Sequence, residues 1–240
     1  VDADDWIEPQ FIECLVNSLE KMKADLAVTG FKYEYEEKGH QCLKNAEETE
    51  TLFHKYEYQE IWKQLLYHKN IGGFLCNKLY KRDKITKLLD ERLYYSEDFV
   101  FTAEYCKNIK TMVFTNLALY HYRQSQENAT NDFSFNIRIM SLLNSYKQLE
   151  KIYMNYAPEE LDNIKCNTLK IALNLRARYK LNKINDWRAY LKIKEVINKR
   201  IRCTLLSKKV SNIQKLNILL TWIFPTILFR IKNKALGRQI

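Results

Sequence analysis

The chain has 240 residues, 46% of them hydrophobic and 13% aromatic, which excludes a disordered chain and allows a buried core. With five glycines and three prolines, a turn-rich all-β sandwich is excluded and helix is expected to predominate. The net charge of +10 is unevenly distributed. Residues 1–125 contain 17 Lys and Arg and 21 Asp and Glu, whereas residues 126–240 contain 22 Lys and Arg and 8 Asp and Glu. This asymmetry points to a polyanionic partner for the second half.

The predicted elements alternate between helix and strand up to about residue 126. Apolar residues behind Pro9 follow helical spacing as far as Met22, and the stretch that follows alternates as a strand does. We then expect a loop over 36–50, a helix over 56–68, a helical turn over 77–85, a helix starting at Ser96 and one or two short strands over 111–123. Beyond residue 134 the pattern is helix after helix. The sequence therefore predicts an α/β part, residues 1–126, and an α-helical region, residues 127–240.

The first five residues contain three carboxylates, those of Asp2, Asp4 and Asp5. Mg²⁺ and Mn²⁺ prefer such hard oxygen ligands and leave positions for substrate phosphates. Trp6 and Ile7 stand where a calcium-binding EF-hand loop needs Asp or Asn and then Gly, so that loop is excluded. The alternative left open is that Asp4 or Asp5 only caps the first helix.

A second acidic pair, Glu97 and Asp98, begins the helix after Ser96. Carboxylates in a first helical turn complement the helix dipole and commonly have no other role. The pair alone therefore does not establish a catalytic site.

Four stretches, in this order, resemble bacterial family 2 glycosyltransferases: VDADDWIEP, GGFLCNKLYKRDKI, LDERLYYSEDFVFTAEYCKN and LALYHYRQSQENAT. They resemble the family's metal-binding DxD element, its N-K-L-Y-[KR]-R segment, the helix start that supplies the catalytic base, and its Y-x-Y-R ending. The likeness covers residues 1 to about 130 and implies a Rossmann-like GT-A fold. The family's nucleotide-binding strands, which precede the DxD element, have no counterpart. We therefore expect an incomplete, C-terminal half of a GT-A domain followed by the helical region.

The resemblance implies ligands for a metal and a nucleotide-sugar donor. Asp2 and Asp4 would hold Mn²⁺ or Mg²⁺ and the donor diphosphate. Lys78 and Arg123 would contact phosphate or acceptor oxygens. His121 would add a metal or phosphate contact, the alternative being an ordinary histidine within a strand.

The same resemblance makes Asp98 the general base, supported by Glu97. With a metal neutralising the diphosphate, deprotonation of an acceptor hydroxyl gives one displacement with inversion. The expected function is sugar transfer to a polysaccharide or lipid-linked acceptor, in capsule, exopolysaccharide or O-antigen type synthesis. The alternative from another class is a non-catalytic basic helical module that binds an anionic membrane or nucleic acid.

Residues 163–240 carry 19 Lys and Arg against two acidic residues. Cations interleaved with aliphatic residues at helical spacing suit a helix lying on an anionic bilayer. The apolar run 216–231 is shorter than the roughly 20 residues of a spanning helix and contains Pro225, so it predicts an interfacial anchor. The alternative is a helical subdomain whose solvent face is basic. Because no nucleic-acid-binding motif is visible, we expect an anionic membrane surface as partner and no nucleic acid.

The six cysteines lie far apart and lack both CxxC and zinc-ligand spacing. Most stand beside apolar residues, as buried thiols do in a reducing compartment. No secretory signal is visible. We therefore expect a cytoplasmic protein, peripheral at the inner face of the cell membrane.

Overall fold

A computed structural model describes residues 1–35, 52–124 and 134–235. The loop expected over 36–50 lies outside these residues. The chain divides into two units, the first comprising Val1–Asp90 with Asp98–Asn128 and the second Glu91–Glu97 with Ala129–Ile240.

The first unit is built on a five-stranded mixed sheet. Its strands are β1 (Trp6–Ile7), β2 (Leu26–Tyr35), β3 (Phe53–Glu57), β4 (Lys78–Tyr80) and β5 (Thr111–Gln124). β5 runs parallel to β2, which pairs antiparallel with β4. β1 and β3 both pair antiparallel with β5, β3 near its start and β1 near its end. The expected strands over 111–123 therefore form one long central strand.

A bulge divides β5 into two parts. Thr29 of β2 lies opposite Thr115, but the next residue, Gly30, lies opposite Ala118. A Cβ on Gly30 would lie 3.2 Å from the carbonyl oxygen of Asn116, so a larger residue would press against the bulged backbone. The bulge separates the part of β5 that pairs with β3 from the part that pairs with β1. The second part carries Tyr120, His121 and Arg123 of the candidate site.

Helix α1 (Phe11–Met22) covers the sheet as its apolar spacing predicts. Phe11, Leu15 and Leu19, spaced by four residues, are buried against Ala27, Phe31, Val113, Leu119 and Tyr120 of the sheet. Lys23 ends the helix in the left-handed conformation, with φ of 49°. The helix expected over 56–68 is α2 (Tyr58–Tyr67), which follows β3 directly. Helix α3 (Glu97–Cys106) begins one residue after Ser96, as expected.

The prediction of a helical turn over 77–85 is wrong for its first part. Lys78–Tyr80 form β4, and only Arg82–Lys84 form a short 3₁₀ turn. The edge of β2 offers backbone partners at this point, and Leu79 pairs with Ala27. The buried Asn77 side chain adds a hydrogen bond from Nδ2 to the carbonyl oxygen of Thr29. These long-range bonds favour strand over helix here.

The second unit is helical throughout its described residues. Its helices are α4 (Ser141–Tyr156), α5 (Leu161–Leu181), α6 (Trp187–Leu206), α7 (Asn212–Ile223) and α8 (Pro225–Ala235). α5 lies at the centre and packs against α4, α6 and α8. Its buried residues Leu169 and Leu173 share a core with Ile193 and Ile197 of α6. The expected fold class, an α/β part followed by helices, is confirmed.

None of the helices among the described residues is both long and apolar enough to span a lipid bilayer.

Candidate active site

The acidic turn at the start of the chain is fastened to β5. The Tyr120 hydroxyl donates a 2.6 Å hydrogen bond to Asp5 Oδ2 and accepts one of 3.2 Å from the Asp2 backbone N–H. The backbone N–H of Arg123 donates to Asp5 Oδ1 at 2.8 Å. Asp5, to which the sequence assigned no role, is therefore the residue that holds this turn in place.

The carboxylates of Asp2 and Asp4 are exposed on the same turn. Mg²⁺ is usually bound by one or two carboxylates, with water and substrate phosphates completing its shell, and an exposed pair suits that arrangement. Across residues 1–35, 52–124 and 134–235, no three His, Cys, Asp or Glu side chains are grouped to hold a metal ion.

His121 makes contacts other than the metal contact expected of it. Its Nε2 lies 2.9 Å from a Glu8 carboxylate oxygen, and its Nδ1 lies 2.7 Å from one of Glu34. The ring is buried and stacks on the Trp6 indole, with ring centroids 4.8 Å apart. Since both ring nitrogens face carboxylates, we leave His121 out of the proposed metal ligands. It connects the end of β1 to β2.

Lys78 is buried rather than presented to a phosphate. Its Nζ donates to the carbonyl oxygen of Phe74 at 2.5 Å and to Asn77 Oδ1 at 3.0 Å. Burial lowers the pKa of Lys78 to about 7, although nearby Cys76, Cys106 and Asp98 act to raise it. The Lys78 ammonium thus bonds to groups of its own unit and not, as expected, to the donor. These bonds hold the loop before β4, which contains Gly72 and Gly73.

Cys76 lies between the acidic turn and Lys78. Burial raises the pKa of the Cys76 thiol, an effect that the Lys78 ammonium and a hydrogen bond with Tyr120 partly oppose. Asp2 and Asp5 also interact electrostatically with this thiol. Cys76 therefore marks the point where the acidic turn, the end of β5 and the loop before β4 meet.

Asp98 and Glu97 stand in the first turn of α3, both half-buried. Asp98 Oδ1 accepts a 2.7 Å hydrogen bond from the backbone N–H of Phe99. Asp98 also interacts electrostatically with Lys78, which links the start of α3 to the loop before β4. The predicted base thus lies within electrostatic reach of Lys78.

Hydrogen bonds from α3 to the sheet fix this arrangement. The hydroxyls of Tyr80 and Thr102 lie 3.1 Å apart, and Thr102 donates to the carbonyl oxygen of Gly73 at 3.2 Å. The Tyr105 hydroxyl donates to the carbonyl oxygen of Asp25 at 2.7 Å. A Cβ on Gly73 would lie 2.5 Å from the Phe99 Cα, so only glycine allows α3 to approach this closely.

The structure brings together most, but not all, of the predicted site residues. The acidic turn, Lys78 and Asp98 are linked through Cys76 and electrostatic interactions. Arg123 is exposed, and its backbone N–H, rather than its guanidinium, makes the bond to Asp5. Tyr120 and Cys76 could not be singled out from the sequence, because apolar residues precede the thiol and nothing local distinguishes Tyr120 from the other tyrosines.

A search against protein-family models found no match. Among curated proteins, the chain is 26% identical over 128 residues to EpsH of Bacillus subtilis (strain 168), which is named as a glycosyltransferase. The alignment covers 51% of this chain and 36% of EpsH, so the chain spans about a third of that relative.

Among solved structures, the chain is similar to S. aureus TarS 1-349 in complex with UDP-GlcNAc, with a TM-score of 0.54 and 15% identity. This match covers 99% of the chain and 67% of the TarS structure. A second TarS structure, in complex with UDP, matches with a TM-score of 0.49. The α/β fold of the chain is therefore similar to that of TarS, and part of its sequence is similar to that of EpsH.

Proposed function

We propose that this chain is the metal- and acceptor-binding part of a glycosyltransferase that uses a nucleotide-sugar donor. The observation that carries the proposal is the Tyr120–Asp5 hydrogen bond, which fastens the acidic turn beside Cys76 and Lys78, with Asp98 in electrostatic contact with Lys78. The likeness to EpsH supports the reaction class. The UDP-GlcNAc complex of TarS supports a UDP-sugar as the first donor to test.

In the proposed reaction Asp98 is the general base. Its carboxylate accepts the proton of an acceptor hydroxyl while that oxygen forms a bond to the anomeric carbon of the donor. The bond from this carbon to the diphosphate oxygen breaks, and its electron pair leaves with the diphosphate. Attack from the side opposite the leaving group inverts the configuration. The acceptor is a polysaccharide or a lipid-linked glycan.

Asp2 and Asp4 are the proposed ligands of Mn²⁺ or Mg²⁺. Such an ion, when bound, neutralises charge on the diphosphate and makes it a better leaving group. Asp5 contributes by position, since its two oxygens are occupied by Tyr120 and Arg123. Glu97, the neighbour of Asp98 in the first turn of α3, is the proposed supporting carboxylate.

The test measures UDP release from UDP-sugars with Mn²⁺ or Mg²⁺, in parallel with Mn²⁺ binding by electron paramagnetic resonance. Asp98→Asn is expected to reduce release by about 10²-fold or more and to leave Mn²⁺ binding unchanged. Asp2→Ala combined with Asp4→Ala is expected to abolish both. The matched control is Asp83→Asn, because the Asp83 side chain is 72% exposed and pairs only loosely with Lys84.

Two results contradict the proposal in different ways. Unchanged release by Asp98→Asn rejects Asp98 as the base while leaving the reaction class intact. No turnover of any nucleotide sugar, together with no binding of Mn²⁺ or UDP, rejects the reaction class and favours a non-catalytic module.

A further inference from the structure

Helices α7 and α8 of the second unit each expose apolar residues, which together are called the stripe. On α7 these residues are spaced by three and four, as one face of a helix requires, and on α8 Ile227 and Ile231 are four residues apart. The stripe consists of Ile213, Leu216, Leu220, Ile223, Phe224, Ile227 and Ile231. Ile213 is 81% exposed and Leu216 58%. Exposed apolar residues scattered singly are normal, but an aligned set of this size marks an interaction surface.

The stripe is not the inward face of either helix. Ile218 of α7 and Phe229 of α8 are buried on the other side, at 2% and 5% exposure. α8 packs against α5, where the Arg178 guanidinium lies 5.9 Å from the Phe229 ring. Lys232 Nζ also donates to Asn217 Oδ1 at 2.6 Å, which ties α8 to α7. Both helices therefore have a packed inner face as well as the exposed outer one.

Positive charge surrounds this stripe. Residues 196–240 contain ten Lys and Arg and no Asp or Glu. Arg230 and Lys234 are exposed and each follows a stripe residue by three positions, after Ile227 and Ile231 respectively. Lys208 is exposed shortly before α7 begins. The stripe and its cations thus form one amphipathic surface without acidic residues in this stretch of sequence.

We propose that this surface, the α7–α8 face, docks onto an anionic lipid bilayer with both helices lying in the membrane plane. Aliphatic side chains enter the boundary between headgroups and acyl chains, and the flanking cations meet lipid phosphates. α7 has 12 residues and is about 18 Å long, against a hydrocarbon core of roughly 30 Å, so the helix lies on the bilayer rather than crossing it.

Charge favours an anionic bilayer over a second copy of the chain as the partner of the α7–α8 face. Two copies meeting through this face would bring Arg230 and Lys234 of both into one interface, without carboxylates from residues 196–240 to compensate. Like charges brought together across an interface are repulsive. An anionic bilayer instead offers phosphates to every cation at the rim. The proposal is independent of glycosyl transfer, because the α7–α8 face belongs to the second unit alone.

The experiment is co-sedimentation of the chain with vesicles of phosphatidylcholine containing 30% phosphatidylglycerol, compared with vesicles of phosphatidylcholine alone. We expect the bound fraction to depend on the anionic lipid and to fall with added salt. Ile213→Ser with Leu216→Ser and Ile227→Ser should weaken binding at least tenfold. Leu88→Ser is the matched control, because Leu88 is 84% exposed in the first unit and should have no effect.

Charge reversal tests the rim separately. Arg230→Glu with Lys234→Glu should lower binding at least tenfold, whereas Lys192→Glu with Lys194→Glu, exposed on α6, should lower it less. Unchanged circular dichroism and thermal midpoints verify that the variants fold. Equal binding to both vesicle types, or equal binding by the stripe variant, overturns the proposal. The proposal is also overturned if the wild-type chain does not bind vesicles but forms a dimer, or binds DNA, through the same residues.

Discussion

Tyr120 and Asp5 are 115 positions apart in sequence, yet the tyrosine hydroxyl donates a 2.6 Å hydrogen bond to the aspartate carboxylate. Burial and this bond raise the pKa of Tyr120, so the hydroxyl remains protonated and acts as the donor. The same oxygen accepts the Asp2 backbone N–H. One side chain of β5 therefore sets the position of the acidic turn that we propose as the metal site.

Tyr120→Phe should loosen this turn without emptying the core, since the ring remains. The loss of a hydrogen bond to a charged group should lower the free energy of unfolding by about 1.5 to 3 kcal/mol. The Mn²⁺ concentration for half-maximal UDP release should rise, which a titration of release against Mn²⁺ measures. Tyr94→Phe, at an exposed tyrosine of the second unit, is the control. An unchanged Mn²⁺ dependence would show that the bond is structural only.

Much of the fold of the first unit could be predicted from local pattern. Phe11, Leu15 and Leu19 follow helical spacing and do form the buried face of α1. β4 could not be predicted, because its three residues become a strand only through pairing with β2.

Candidate site residues could be predicted where they lie in one short motif. Contacts between residues far apart in sequence could not be predicted. Asp2, Asp4 and Asp98 could be singled out from short stretches of sequence. The inward direction of Lys78 depends on the carbonyl oxygen of Phe74, and the carboxylate partners of His121 come from other strands or turns. No local pattern specifies such partners, so the sequence does not indicate what Lys78 and His121 contact.

Gly73→Ala should displace α3 and with it Asp98. The added Cβ would lie 2.4 Å from Phe99 Cβ and 2.5 Å from Phe99 Cα, and a backbone atom cannot simply rotate away. We expect a loss of about 1 to 3 kcal/mol in unfolding free energy, typical of overpacking, and reduced UDP release. Urea titration and the release assay measure the two effects.

Gly72→Ala is the matched control for that change. Its Cβ would meet only the Phe74 ring, at 3.2 Å, and this side chain can move. The two variants should therefore differ clearly in stability. If both lose the same amount, the close approach of α3 to Gly73 is not what limits substitution there.

Lys78 should make stability depend on pH. Its folded pKa of about 7 lies below the unfolded value near 10.4, so between these values the unfolded chain binds more protons and stability rises with pH. The contribution is complete above the unfolded pKa and is lost as pH falls through about 7. We compare wild type with Lys78→Met from pH 7 to 8.5, an interval over which the lysine of the unfolded chain keeps its proton.

Over that interval the free energy of unfolding of the wild type should rise by about 1 to 2 kcal/mol relative to that of Lys78→Met. The binding of one proton can change it by at most about 1.4 kcal/mol per pH unit. Urea titrations at each pH give the difference directly, and the other titrating groups cancel in the comparison. Lys81→Met, at a partly exposed lysine, is the control, and its free energy of unfolding should change with pH as that of the wild type does. Parallel curves for Lys78→Met would mean that the buried ammonium keeps its proton throughout.

A buried polar network in the second unit joins helices α4, α5 and α6. Arg200 of α6 donates to both carboxylate oxygens of Glu150 in α4, and the Thr168 hydroxyl of α5 donates to the same carboxylate at 2.8 Å. Removing one member of a buried ion pair leaves an uncompensated charge, so Arg200→Met should cost about 3 to 5 kcal/mol. Replacing both partners, with Glu150→Leu and Arg200→Met, should restore most of that loss, because neither charge then remains buried. Urea unfolding followed by helical circular dichroism completes the double-mutant cycle, and additive losses for the two single variants would mean that the pair is not coupled.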